Sequence, residues 1–227
     1  KKVPILRLGK KWLVFDSRLL KKTIAYGWAS AMQQATVQMG KIAIQALVNT
    51  MGVSVAAAFA VVNRIDDFAI TPEQNIAHAM TALMAQNKGA GKNDRMREGF
   101  RCGMILETVY GAAVMVICQV FAGELMALFV KDEEVIGHGV IYLHLIAVMY
   151  ILPAVTNAIQ GFFRGIGKIS VPVIGSTLHI SIRVVLSYLL IGRMGLEAVA
   201  VATGIGWISV VIYQIVVYRN VRKKGFV

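Results

Sequence analysis

Charge is scarce in this sequence, and acid is scarcer than base. Asp and Glu number 12 against 24 Lys and Arg, and charged residues make up only 16% of the 227. Roughly 25% charged and 45–50% apolar residues would be usual for a soluble domain. Here 57% are hydrophobic and the mean hydropathy is +0.64, a displacement toward a lipid solvent. Cysteine is nearly absent. Cys102 and Cys118 fall on one predicted helix, about 24 Å apart at 1.5 Å per residue. That is too far for a bridge within the helix, so both read as small apolar fillers. Metal and nucleotide motifs are missing as well. No H-E-x-x-H occurs and no Cys/His cluster has zinc spacing. "GAGKNDR" and "GIGKIS" lack the G-x-x-x-x-G-K-[ST] spacing of a phosphate loop, and no strand precedes either. The 11 methionines read as flexible packing rather than a metal box.

What the chain has is length of apolar run. Six stretches, approximately 23–48, 53–85, 102–130, 135–163, 171–191 and 196–218, each reach the ~20 residues a helix needs to cross a bilayer. In lipid every backbone group must be satisfied within the segment, so helices follow. Of the Lys and Arg in the connections and ends, nineteen fall on one side of this arrangement. Only Lys131 and Arg193 fall on the other, beside Asp132, Glu133, Glu134 and Glu197. The split places both termini in the cytoplasm. The net charge of +12 is therefore a topology signal and not a nucleic-acid footprint. Residues 1–22 are basic, lack the apolar core of a signal peptide, and read as an interfacial linker around "KKWLVFDSRLLKK". Residues 219–227 read as a basic tail. The chain begins with Lys and is expected to be a piece of a longer protein.

One apolar stretch carries an anomaly. "VVNRIDDFAITPEQNIAHA" holds Arg64, Asp66, Asp67 and Glu73 within ten residues. Arg64 lies about 16 Å in from the stretch's start, near the middle of a ~30 Å core. Charges at that depth cost about 2.5 kcal/mol or more and face a bundle interior or a wet cavity. At helical spacing Arg64, Asp67, Thr71, Gln74 and His78 share a stripe, with Asp66 and Glu73 on a neighbouring line. One reading is an internal Arg64–Asp67 ion pair that pins packing. It leaves Asp66 and Glu73 without basic partners, and these fit a cavity that binds a proton, a cation or a cationic substrate. Pro72 is expected to kink the span or free a carbonyl there.

Other stretches repeat the pattern. Gln34, Gln38, Lys41 and Gln45 share one face of the first, beside Gln33. Glu107, His144, Asn157, Gln160, His179 and Arg183 punctuate the third to fifth. Each alone reads as an interhelical hydrogen bond. Together they describe a wet interior, a transporter's anatomy more than an enzyme's. Candidate coupling residues are thus Asp66, Asp67 and Glu73. Candidate cavity residues are Gln34, Gln38, Lys41, Asn63, Arg64, His144, Asn157 and Arg183.

Five segments resemble the multidrug and toxic compound extrusion (MATE) transporters in order: "ALVNTMGVSVAAAFAVVNRID", "MAQNKGAGKNDRMREG", "DEEVIGHGVIYLHLIA", "GFFRGIGKISVPVIGS" and "GRMGLEAVAVATGIGW". The resemblance runs from about residue 19 to 224. It implies an all-α integral membrane fold, six transmembrane helices forming one lobe of a twelve-helix transporter. The basic leader and "IQALVNTMG" are similar to the C-terminal lobe, so an N-terminal lobe is expected as partner. The implied activity is antiport of amphipathic, cationic compounds against protons or sodium in the plasma membrane, with no other cofactor, no enzymatic step and no nucleic acid. Lipid and a small organic substrate are the remaining partners. The sodium ligands of one family branch are not matched: Gln33, Gln34, Gln38, Lys41, His144 and Asn157 stand in those spans. A lipid-linked oligosaccharide flippase is the near alternative, disfavoured because Asp66, Asp67 and Glu73 outnumber Arg64. A non-transporting scaffold or sensor is the distant one.

Overall fold

A computed structural model of the chain describes residues 15–223. Those residues form helices α1 (Ser17–Asn49), α2 (Val53–Gly89), α3 (Asn93–Val120), α4 (Ala122–Ala127), α5 (Glu133–Ala147), α6 (Ile151–Gly165), α7 (Ser170–Met194) and α8 (Glu197–Lys223), with no strand among them. The six apolar stretches all become helix, and two of them break. The third divides at Phe121 into α3 and short α4. The fourth divides at 148–150 into α5 and α6, bent by 50°. Pro153, which cannot donate to the ladder, sits just past this second break and accounts for it. Pro72 has no such effect. It lies inside an α2 that runs unbroken from Val53 to Gly89.

Helix starts follow local chemistry. Asp16 caps α1, its carboxylate accepting from the N–H groups of Arg18 and Leu19 at 2.8 and 3.2 Å. Helix α1 therefore begins inside the segment 1–22 that the sequence suggests as linker. The interfacial reading of Trp12, Leu13 and Val14 lies outside the described residues. Asp132 caps α5 in the same way, accepting from Glu134 and Val135. Helix α8 runs on to Lys223 through most of the expected tail. The turn between α1 and α2 depends on Gly52 at φ 105°, a conformation that side-chain-bearing residues avoid.

Helices α3, α7 and α8 are each long and apolar enough to cross a membrane, and α5 with α6 makes a fourth such span. Helices α1 and α2 are longer, at 33 and 37 residues, but carry the polar faces that line the cavity described below. Packing joins α7 to α8, α2 to α6 and α3, and α1 to α7. One core gathers Phe59, Tyr142, Leu143 and Met126 between α2, α4 and α5. A second, at the other end of the bundle, stacks Phe100, Phe162 and Tyr218 with ring centres about 5 Å apart. Outward, α3 shows Ile105, Val109 and Val116, and α8 shows Ile205, Ile208 and Ile212. Apolar side chains in rows this extensive suit lipid and not water.

Candidate functional site

A cavity of about 930 Å³ opens on one side of the bundle, walled by α1, α2, α6, α7 and α8 with a contribution from the end of α5. Its polar lining comes from distant parts of the sequence. Helix α1 supplies Gln33, Gln34, Gln38 and Lys41, and α2 supplies Asn63, Asp66, Asp67, Thr71, Gln74 and His78. Asn157, Gln160 and Arg164 come from α6, Ser176, His179 and Arg183 from α7, Thr203 and Trp207 from α8. Tyr150, from the break between α5 and α6, completes the wall.

Several of these groups hold one another. Lys41 Nζ lies 3.1 Å from Asp67 Oδ1, an ion pair with both side chains about half exposed. The Tyr150 hydroxyl donates to Asp66 Oδ1, and Arg183 lies within electrostatic reach of the same carboxylate. At the other end Gln33 Nε2 donates to Ser176 Oγ at 2.6 Å. Arg164 donates to Gln160 Oε1 at 3.1 Å and reaches Gln33 Oε1 at 3.5 Å. The His179 ring stacks on Trp207 with centres 4.0 Å apart. The cavity is thus a polar trough with an aromatic shelf, its charged groups tied at both ends.

The structure brings Gln34, Gln38, Lys41, Asn63, Asp66, Asp67, Asn157 and Arg183 together on this wall. Three residues grouped with them on sequence lie elsewhere. Arg64 is exposed, and at 100° per residue stands roughly 90° from the mean of the α2 lining stripe. It does not pair with Asp67, whose partner is Lys41. His144 is exposed off the wall, on a stretch of α5 whose His144 carbonyl accepts from Gln119 of α3 at 2.7 Å. Glu73 is 1% exposed and turned into the bundle, where Asn157 Nδ2 donates to its Oε2 at 3.2 Å. The charge comparison that set Asp66, Asp67 and Glu73 against Arg64 therefore does not describe the wall. Lys41, Arg164 and Arg183 face it with Asp66 and Asp67, three cations to two carboxylates.

Sequence reasoning missed Tyr150 and Arg164. The first is an ordinary aromatic in an apolar run, 84 residues from the Asp66 that it meets. The second reads as a topology-setting loop residue. No group of three or more His, Cys, Asp or Glu able to hold a metal exists among the described residues.

Comparisons with known proteins agree with this architecture. The MatE family model matches residues 29–189. The probable multidrug resistance protein YoeA of Bacillus subtilis is 25% identical over 198 residues, 86% of this chain and 42% of its own length. The probable multidrug resistance protein NorM of Thermotoga maritima is 21% identical over 154 residues, 68% of this chain and 33% of its own length. A solved structure described as the outward-facing conformation of a multidrug resistance MATE family transporter superposes with a TM-score of 0.87 at 18% identity. It covers 96% of this chain and 50% of that one. The chain spans about half the length, or less, of the proteins it matches.

Proposed function

The chain belongs to the MatE family, a family of multi-pass membrane transporters, and from that premise we propose that it forms one lobe of a secondary multidrug exporter. A second six-helix lobe completes the trough. The basic leader favours the C-terminal position for this one. The transporter sits in the plasma membrane with the Lys- and Arg-rich loops, and both ends of this lobe, toward the cytoplasm. Rocking of the lobes exposes the trough to each side in turn, driven by a proton or sodium gradient. Binding or release of the coupling ion shifts the balance between the two conformations.

The observation that carries this reading is the cavity itself. A trough of about 930 Å³ is within the range that accommodates drug-sized ligands. The Gln, Asn and Thr side chains offer hydrogen bonds in either sense, and Trp207 with His179 offers a flat apolar surface. Asp66 and Asp67 draw amphipathic cations. A second reading has one specific support: the three cations on the wall suit an anionic headgroup, as a flippase of lipid-linked oligosaccharides would need.

Cellular efflux of a fluorescent organic cation tests the proposal in the full-length protein that carries this lobe. At matched abundance, wild type lowers cell fluorescence, and collapse of either the proton or the sodium gradient abolishes the effect. Asp66→Asn lowers efflux about tenfold if that carboxylate contributes the 1–3 kcal/mol common for coupling between sites. An inert wild type in the presence of both gradients counts against multidrug export, and movement of anionic lipid instead supports the flippase reading.

A further inference from the structure

Behind the cavity wall, where α2, α3 and α6 meet, lie two carboxylates that the trough does not use. Glu73 of α2 is 1% exposed and Glu107 of α3 is fully buried. Neither oxygen of Glu107 has a hydrogen-bond partner, and its electrostatic neighbour is Glu73. Glu73 has one partner, the amide of Asn157, and Asn157 also faces the trough. No Lys, Arg or His forms an ion pair with either acid among the described residues. The other titratable groups at this junction give no compensation. The Tyr110 hydroxyl is committed to the Ala69 carbonyl at 3.1 Å, and Cys118 is a buried thiol.

The junction is also tight. A Cβ on Gly161 of α6 would stand 2.6 Å from the Ala77 carbonyl oxygen of α2, and one on Gly111 of α3 would stand 2.9 Å from Ala154 of α6. These glycines lie one turn from Asn157 and Glu107 respectively. Helices that close leave little room for a hydrated metal ion beside the acids. Two uncompensated negative charges in a buried, lipid-bounded interior are costly. Entry of a positive charge offsets that cost, and the smallest one fits.

We infer that Glu73 and Glu107 together hold one exchangeable proton, delivered from and returned to the trough past Asn157. Binding puts the proton on a carboxylate oxygen and leaves the pair with a single negative charge. Release returns it to water in the trough and restores the second charge. Asn157 reports the change: it donates to ionised Glu73, and with Glu73 protonated its amide is free to turn toward a ligand. The pair would thereby tie proton occupancy to the wall that substrate meets. This inference deepens the proposed transport function, naming its coupling ion, and rests on that reading for its role.

The test uses the full-length protein in liposomes, without substrate. Infrared difference spectra between wild type and the double variant Glu73→Gln, Glu107→Gln should show, at neutral pH, the carbonyl stretch of a protonated carboxyl that only wild type has. Alkaline buffer should bleach that band and sodium at fixed pH should leave it. No difference between the two proteins, or bleaching by sodium, overturns the inference. Should the double variant not accumulate, Glu107→Gln alone serves, because Glu107 lies off the cavity, and it should alter the same band. In a second arm, pH-gradient-driven accumulation of a dye should fall about tenfold more than gradient-free counterflow. Equal losses overturn the coupling role. A wild type incapable of counterflow counts against the transport proposal instead, and the infrared result stands on its own.

Discussion

Helix α2 presents the same residue types to two surroundings. On its trough side Asp67 is about half exposed and tied to Lys41. Less than two turns further on, Glu73 is almost wholly buried against α3 and α6. The two acids differ in which way they face, about 120° apart at six residues, and hardly at all in chemistry. On the wet side, charge is screened and adjustable, so a carboxylate is inexpensive and its ion pair is weak. On the dry side, packing is fixed by glycine contacts and an acid must find compensation. A lobe of this kind can have a tolerant binding surface laid over an intolerant junction.

The largest effect should come from spoiling the dry side. Gly161→Ala places a methyl group against the backbone oxygen of Ala77, which has no flexible end to move aside. Because the clash is with backbone, overpacking of about 3 kcal/mol or more, the top of the usual range, is expected, read as a lowered thermal midpoint in detergent. A midpoint unchanged from wild type would show that α2 and α6 can separate freely. Next is Tyr150→Phe, which strips Asp66 of its hydroxyl donor. A hydrogen bond to a charged group contributes about 1.5–3 kcal/mol, so the variant should melt below wild type and Asp66→Asn should add little on top of it. Full additivity would break the pairing. Smaller again is Gln33→Leu, which removes the amide between Ser176 and Arg164 for about 0.5–1.5 kcal/mol. Smallest is the exposed pair on the wet side. A double-mutant cycle over Lys41→Met and Asp67→Asn should give a coupling of about 0–1 kcal/mol that fades with added salt. A coupling as large as the Gly161 effect would erase the distinction between the two faces.

Much of the fold is legible in the sequence because lipid leaves few choices. Run length marks the stretches that become helix, and the split of Lys and Arg gives an expectation of which loops share a side. The breaks were harder. Pro153 gives the α5–α6 bend a cause, but Pro72, a stronger suspect amid charges, leaves α2 whole. A proline inside a helix can be absorbed when packing on both sides holds the helix together, and that information is tertiary. The break at Phe121 has no comparable mark in the run around it. For the site, periodicity found the stripe through Asp67, Thr71, Gln74 and His78, yet put Arg64 on it. Arg64 lies 60° from Asp67 by helical spacing, close enough to share a stripe and far enough to miss the wall. His144 misled for a different reason, since a polar residue in an apolar span has no address until its neighbours are known. The meeting of Glu73 with Glu107, like that of Asp66 with Tyr150, depends on helix packing across long separations that a single sequence does not display.

The most direct test of the central claim, that the trough is the wet substrate path, is labelling of single cysteines in the full-length protein. With the exposed Cys102 replaced by Ser, cysteines at Gln38 and Gln74 on the wall are compared with cysteines at Val109 and Ile212, which are 62% and 59% exposed on outer faces. A charged, membrane-impermeant maleimide should modify the first pair, an excess of dye substrate should slow that reaction, and the second pair should stay unlabelled in lipid. Equal labelling at all four positions, or wall labelling indifferent to substrate, would contradict it.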